Sequence, residues 1–116
     1  GIRVKWLAPI PVWPEHVPMM LWRHLNGQGA LAAQTAQDYV QANQAYLDQV
    51  RSLQAGNFSI HEVHQLMCRP QCVLMDEANR PYYRDESHLS LTGSRLLSPV
   101  FEAMLSPSTP LGSRAP

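Results

Sequence analysis

The stretch YYRDESHLSLTGSRLL, Tyr82 to Leu97, places Asp85, Ser87, His88 and Ser90 close together and then passes into an amphipathic pattern. Asp85 and His88 stand three residues apart. In a turn, or in a first helical turn, that spacing brings two side chains to one side within hydrogen-bonding reach. A carboxylate so placed accepts the proton of one imidazole nitrogen and leaves the other free to act as a general base. This is the base-and-orienter half of a Ser-His-Asp arrangement. A bare Asp-x-x-His pair also arises often by chance. The plainer reading makes Asp85 an acid favoured by the dipole of the following helix and His88 a partly buried polar residue. The stretch offers no obvious nucleophile: the side chain of Ser87 should diverge from its neighbour His88, Ser90 is placed to cap the helix, and Ser94 lies inside it.

Leu96, Leu97, Val100, Phe101 and Leu105 form one apolar stripe, so a single helix is expected from Ser90 until Pro107 closes it. Residues 106–116 carry Ser, Pro and Gly without hydrophobic pattern and read as a disordered tail. Upstream of the stretch, CVLMDEANRPYY reads as two short extended pieces joined by a turn near Glu77 to Arg80, and FSIHEVH as a strand. The clearest helix runs from about Ala32 to Ala55, with Ala36, Tyr39, Val40, Leu47, Val50 and Leu53 at helical spacing and Gly56 as its stop. Pro18 suits the first turn of a shorter helix ended by Asn26 and Gly27, in which Met19, Met20 and Trp22 are packing residues. Before it, VKWLAPI is a strand buried on at least one face and stopped by Pro9 and Pro11. Strand, helix, strand and terminal helix predict an α/β layer structure with too few strands for a complete doubly wound sheet.

The 116 residues, 45% of them hydrophobic, suffice for one modest domain. Nine basic residues balance nine acidic ones without a cationic run, so the chain lacks the electrostatic footprint of a nucleic-acid binder. Apolar stretches are broken well before the roughly 18 to 20 residues that a membrane span requires. The opening GIRVKWLAPIPV has none of the regions of a signal peptide and reads as a strand already under way, as in a cut from a larger protein.

Cys68 and Cys72 flank Pro70, whose turn would bring them together in a disulfide and imply an oxidising compartment. The alternative groups both with His61 and His64 as zinc ligands. Pro70 would interrupt a helix carrying that set, and in a strand His61 and His64 would point to opposite sides. His16 and His24 have no partner at useful spacing and read as surface or loop residues.

Asp85, His88, Leu89, Ser90 and Gly93 match the form Asp-x-x-His-Leu-Ser followed by Gly. The chain thereby resembles the last block of the SGNH (GDSL-like) hydrolase superfamily, in particular the SGNH domains fused to the membrane acyltransferase-3 unit of bacterial polysaccharide O-acyltransferases. The strand ending in Pro9 to Pro11, the Pro-containing loop before a long helix, and Cys68, Cys72, Tyr83 and Asp85 follow in the same order, so the resemblance spans about Val4 to Leu105. It implies a partial flavodoxin-like, three-layer fold, with residues 1–105 as the C-terminal portion of the domain.

The resemblance further implies that His88 is the general base, that Asp85 orients it, and that Cys68 and Cys72 form a structural disulfide outside the cytoplasm. No cofactor is implied. The family's Gly-Asp-Ser nucleophile block, oxyanion-hole glycine and Gly-x-Asn block belong earlier in such domains. None is present here, since Asn57 follows Gly56 directly in AGNFS. The expected nucleophile therefore lies upstream of Gly1, and the chain alone is expected to be inactive. The implied parent is an O-acyltransferase or esterase acting on a cell-surface polysaccharide of the lipopolysaccharide O-antigen kind, at the periplasmic face of the bacterial inner membrane. Its partners would be an acylated glycan or acyl donor, the upstream half of the domain and a transmembrane acyltransferase unit, with dimerisation through an open sheet edge as a further expectation. The competing readings are a non-catalytic glycan-binding or interaction domain with a degenerate form of the fold, and a small metal-binding module.

Overall fold

The computed structural model describes residues 1–106, so the expected tail falls outside the described residues from position 107 onward. The elements run β1 (Val4–Leu7), α1 (Val17–Leu25), α2 (Ala36–Arg51), β2 (Phe58–His61), α3 (His64–Met67), α4 (Leu91–Leu96) and α5 (Ser98–Leu105). β1 and β2 pair in parallel, with Val4 opposite Phe58 and Leu7 opposite His61. A parallel pair needs a long crossover, and α1 and α2 lie within it. This mixture of several helices with a small parallel sheet is the partial α/β arrangement expected.

α1 starts where the sequence places it, with Pro18 in its first turn and Asn26 as its C-cap. Val17, Met20 and Leu21 are buried, each contributing roughly 1.5–3 kcal/mol relative to exposure. Met19 and Trp22, read as packing residues, lie on the other face and are more than half exposed. The helix is amphipathic, and its apolar residues outnumber the positions on its inward side.

α2 is shorter than the apolar spacing suggests. It begins at a capping box: Thr35 Oγ1 accepts the Asp38 N–H at 3.1 Å, and an Asp38 carboxylate oxygen accepts the Thr35 N–H at 2.9 Å. Two donors that a helix start leaves unpaired are thereby satisfied, an effect of about 1 kcal/mol. At the far end it stops at Arg51, ahead of Leu53 and Gly56, and Leu53 is exposed. The expected single terminal helix is two helices that break at Leu97. Pro99 lacks the N–H that would continue α4, and its ring would crowd the carbonyl of Arg95.

Cys68 and Cys72 form a disulfide. Their loop holds the start of α2, since Ala36 N–H donates to the Pro70 carbonyl at 2.7 Å and Cys72 N–H to that of Gln34 at 2.8 Å. The main core gathers Trp13, Val17, Met20, Leu21, Val63, Met67, Leu74, Tyr83 and Leu97 with Cys68. A smaller cluster of Ala8, Tyr39 and Leu47 joins the strand end to α2, where the Tyr39 hydroxyl donates to the Pro9 carbonyl.

Candidate active site

Tyr82 to Ser90 folds as a narrow hairpin. Tyr83 bridges Leu89 antiparallel, Arg84 N–H donates to the His88 carbonyl at 2.9 Å and Ser90 N–H to that of Tyr82 at 3.0 Å. Asp85 to His88 form its tip. One Asp85 oxygen accepts the backbone N–H of Ser87 at 2.8 Å and of His88 at 2.7 Å. The other lies 2.8 Å from His88 Nδ1. These bonds favour the ionised carboxylate. The Ser87 N–H leads in holding the Asp85 carboxyl at about 2, below its ordinary 3.8, against a smaller opposing effect of desolvation.

With Nδ1 donating to the carboxylate, Nε2 keeps its lone pair, and a side-chain exposure of 61% leaves the imidazole open to a reacting group. Asp85, by contrast, is 28% exposed and fixed by its backbone donors. Ser87 does not diverge as expected: its Oγ lies 3.4 Å from His88 Nδ1. That nitrogen is already engaged by Asp85, so this approach does not pair a serine with the basic nitrogen. Ser90 caps α4 as expected, its Oγ accepting the Gly93 N–H at 3.1 Å and donating to the Pro81 carbonyl at 2.6 Å.

The tip is gripped from the Pro-rich segment after β1. Trp13 N–H donates to the Glu86 carbonyl at 2.9 Å and Val17 N–H to that of Asp85 at 3.3 Å. Beneath it, the buried Tyr83 hydroxyl donates to the Pro11 carbonyl at 2.7 Å, and the Trp13 ring stands edge-on to Tyr83 with centroids 6.3 Å apart. Sequence reasoning gave Trp13 and Tyr83 no positioning role; Trp13 beside Pro14 and the Tyr82–Tyr83 pair that follows Pro81 were the signal at hand. Gly93 completes the fit. A Cβ there would lie 2.0 Å from the Tyr82 carbonyl oxygen, so only glycine lets α4 pass so close to the hairpin.

The remaining histidines separate from this site. His16 accepts the Met19 N–H at 3.3 Å and caps α1, and His24 Nδ1 lies 3.0 Å from the Gly29 carbonyl, so both have the local partners that their spacing did not reveal. His61 meets Ser59 at 3.1 Å, while His64 stacks on Tyr39 with centroids 4.7 Å apart, and burial pushes its protonation below the usual histidine range. The disulfide removes the two thiolates from the alternative zinc set, and no group of three or more His, Cys, Asp or Glu side chains is arranged for a metal among the described residues.

The profile of the family described as "SGNH domain (fused to AT3 domains)" matches residues 1–103. This chain belongs to that family. No curated protein and no solved structure matches it. Membership makes it an SGNH domain associated with hydrolase and acyltransferase chemistry, and supports a membrane-anchored parent with an acyltransferase unit. Among the described residues no helix is long and apolar enough to cross a membrane.

Proposed function

We propose that Asp85 and His88 are the acid–base arm of a Ser-His-Asp triad in an SGNH domain that moves or removes acyl groups on a bacterial cell-surface polysaccharide. The observation that carries this reading is the Asp85 carboxylate 2.8 Å from His88 Nδ1, on a tip whose imidazole is open to solvent. The matching block of Asp85, His88, Leu89, Ser90 and Gly93 supports it. Residues 1–105 are then the C-terminal portion of the domain, and the serine and oxyanion donors belong to its upstream half. Serine Oγ attacks the acyl carbonyl as His88 Nε2 takes its proton, and the resulting imidazolium returns a proton to the departing oxygen. A sugar hydroxyl or water then attacks the acyl-enzyme, its proton passing to Nε2, and serine leaves with a proton from the same nitrogen. Asp85 stabilises the imidazolium in each half-reaction.

The parent acts at the periplasmic face of the inner membrane, with an O-antigen-like polysaccharide and an acyl donor, acetyl in the simplest case, as its substrates. The disulfide supports an oxidising compartment. The outer edges of β1 and β2 take the remaining strands of the domain or, in the isolated chain, a second copy. His88→Ala in the intact parent is the test, with acyl hydrolysis and transfer both assayed. A fall of about 10²–10⁴-fold is expected from the loss of the general base. Unchanged activity overturns the reading and leaves a non-catalytic glycan-binding or interaction domain in its place.

A further inference from the structure

Beside the hairpin, where Tyr82 meets α4, lies an open cleft of about 270 Å³ lined by Asp76, Arg80, Tyr82, Thr92, Arg95 and Leu96. Tyr82, which lines it, is also the residue whose carbonyl Gly93 approaches closely. At this size, just below the roughly 300 to 1,000 Å³ of ordinary ligand pockets, it suits a single sugar ring rather than a long ligand.

The charges in it are not equivalent. Asp76 accepts the backbone N–H groups of Ala78 and Arg80 at 2.9 and 2.8 Å, and its second oxygen accepts Arg80 Nε at 2.6 Å. That pair neutralises itself and closes the turn at Asn79. Arg95 forms no ion pair or side-chain hydrogen bond among the described residues, and its guanidinium is exposed at the cleft. One uncompensated positive charge remains. A guanidinium fork matches a carboxylate in two parallel hydrogen bonds, whereas a phosphate dianion would bring excess charge beside Asp76. Tyr82 adds an aromatic surface for the apolar face of a pyranose and Thr92 a hydroxyl for its ring substituents.

We propose that this cleft, at the base of the hairpin whose tip carries Asp85 and His88, is a subsite for a sugar carrying a single carboxylate, a hexuronic acid in the glycan handled by that hairpin. The inference rests on the glycan reading above and gives it a substrate class. Arg95 binds the carboxylate, Tyr82 carries the ring, and the Asp76–Arg80 pair fixes the opposite wall.

The test is binding to the full-length parent, read by saturation-transfer NMR on D-glucuronic acid and D-glucose, with inorganic phosphate as an unobserved competitor. Glucuronate is expected to bind about tenfold more tightly than glucose, as one charge-assisted pair in an open cleft gives. Arg95→Gln should bring glucuronate down to the level of glucose, and Arg95→Lys should restore part of the difference through charge without the fork. Equal binding of the two sugars, a preference that survives Arg95→Gln, or phosphate outcompeting glucuronate overturns the proposal. Activity is not the readout, so a failed His88→Ala test would leave a glucuronate preference standing, and loss of that preference would leave the acid–base assignment intact.

Discussion

The hairpin that carries Asp85 and His88 sends Tyr83 into a core of ten buried residues, in which Val17, Tyr83 and Leu97 are fully enclosed. At the β1–α2 end only Ala8, Tyr39 and Leu47 are enclosed in the second cluster, while Trp6, Tyr46 and Leu53 are exposed around a cavity of about 290 Å³. Both regions use aromatic residues, but differently. Tyr83 spends its hydroxyl on a buried carbonyl across 72 positions of sequence, whereas Trp6 Nε1 donates to the Tyr46 hydroxyl at 2.7 Å on the surface. The geometry of the Asp85–His88 contact is thus held by packing within this chain, and the sheet end contributes less to it. Order at a site follows the density of its supporting contacts more than its place in the sheet.

The largest effect expected from this contrast is at Gly93. Ordinary overpacking costs about 1–3 kcal/mol. Gly93→Ala should exceed that, because the clash is with a backbone carbonyl rather than a movable side chain. Thermal unfolding checks it, and a near-neutral result would mean that α4 sits further from the hairpin. Next, Leu97→Ala should cost about 2–5 kcal/mol as a fully buried core truncation. Trp6→Ala should cost about 1–2 kcal/mol, since it starts 45% exposed and loses less than a buried aromatic would. Equal losses by denaturant titration would erase the difference between the two regions.

The smallest effect concerns acid. The Asp85 carboxyl titrates at about 2 in the folded chain against an ordinary 3.8. Its contribution to stability is therefore complete above the ordinary value and is lost as pH falls through that window toward 2. The Ser87 and His88 amide resonances should shift with a midpoint near the lower value. A midpoint near the ordinary value would show the tip already open.

The elements were largely legible in the sequence because local chemistry determines them. Pro18 and Asn26 bracket α1, and the Asp85–His88 spacing anticipated a contact that the hairpin makes; the Val, Trp and Leu of β1 mark a strand, but not the buried face expected of it, since Val4 and Trp6 are exposed and Lys5 and Leu7 only half-buried. The limits of α2 were less legible: Ala32 and Leu53 continue the apolar rhythm, but the capping at Thr35 and Asp38 and the turn after Arg51 decide its ends. The break at Leu97 was readable from Pro99 and was masked by an apolar stripe that runs through both helices. What local pattern could not supply was tertiary: the grip of Trp13 and Val17 on the tip, and the demand that Tyr82 places on Gly93.

Lys5 lies in β1, and its Nζ donates to the carbonyls of Met104 and Ser106 at the end of α5. Its strand partner, β2, is separated from it by the whole α1–α2 crossover. During synthesis β1 therefore emerges from the ribosome before either group of partners exists. Docking of β1 onto these partners is therefore of high contact order, and the chain between them must close before either contact can form.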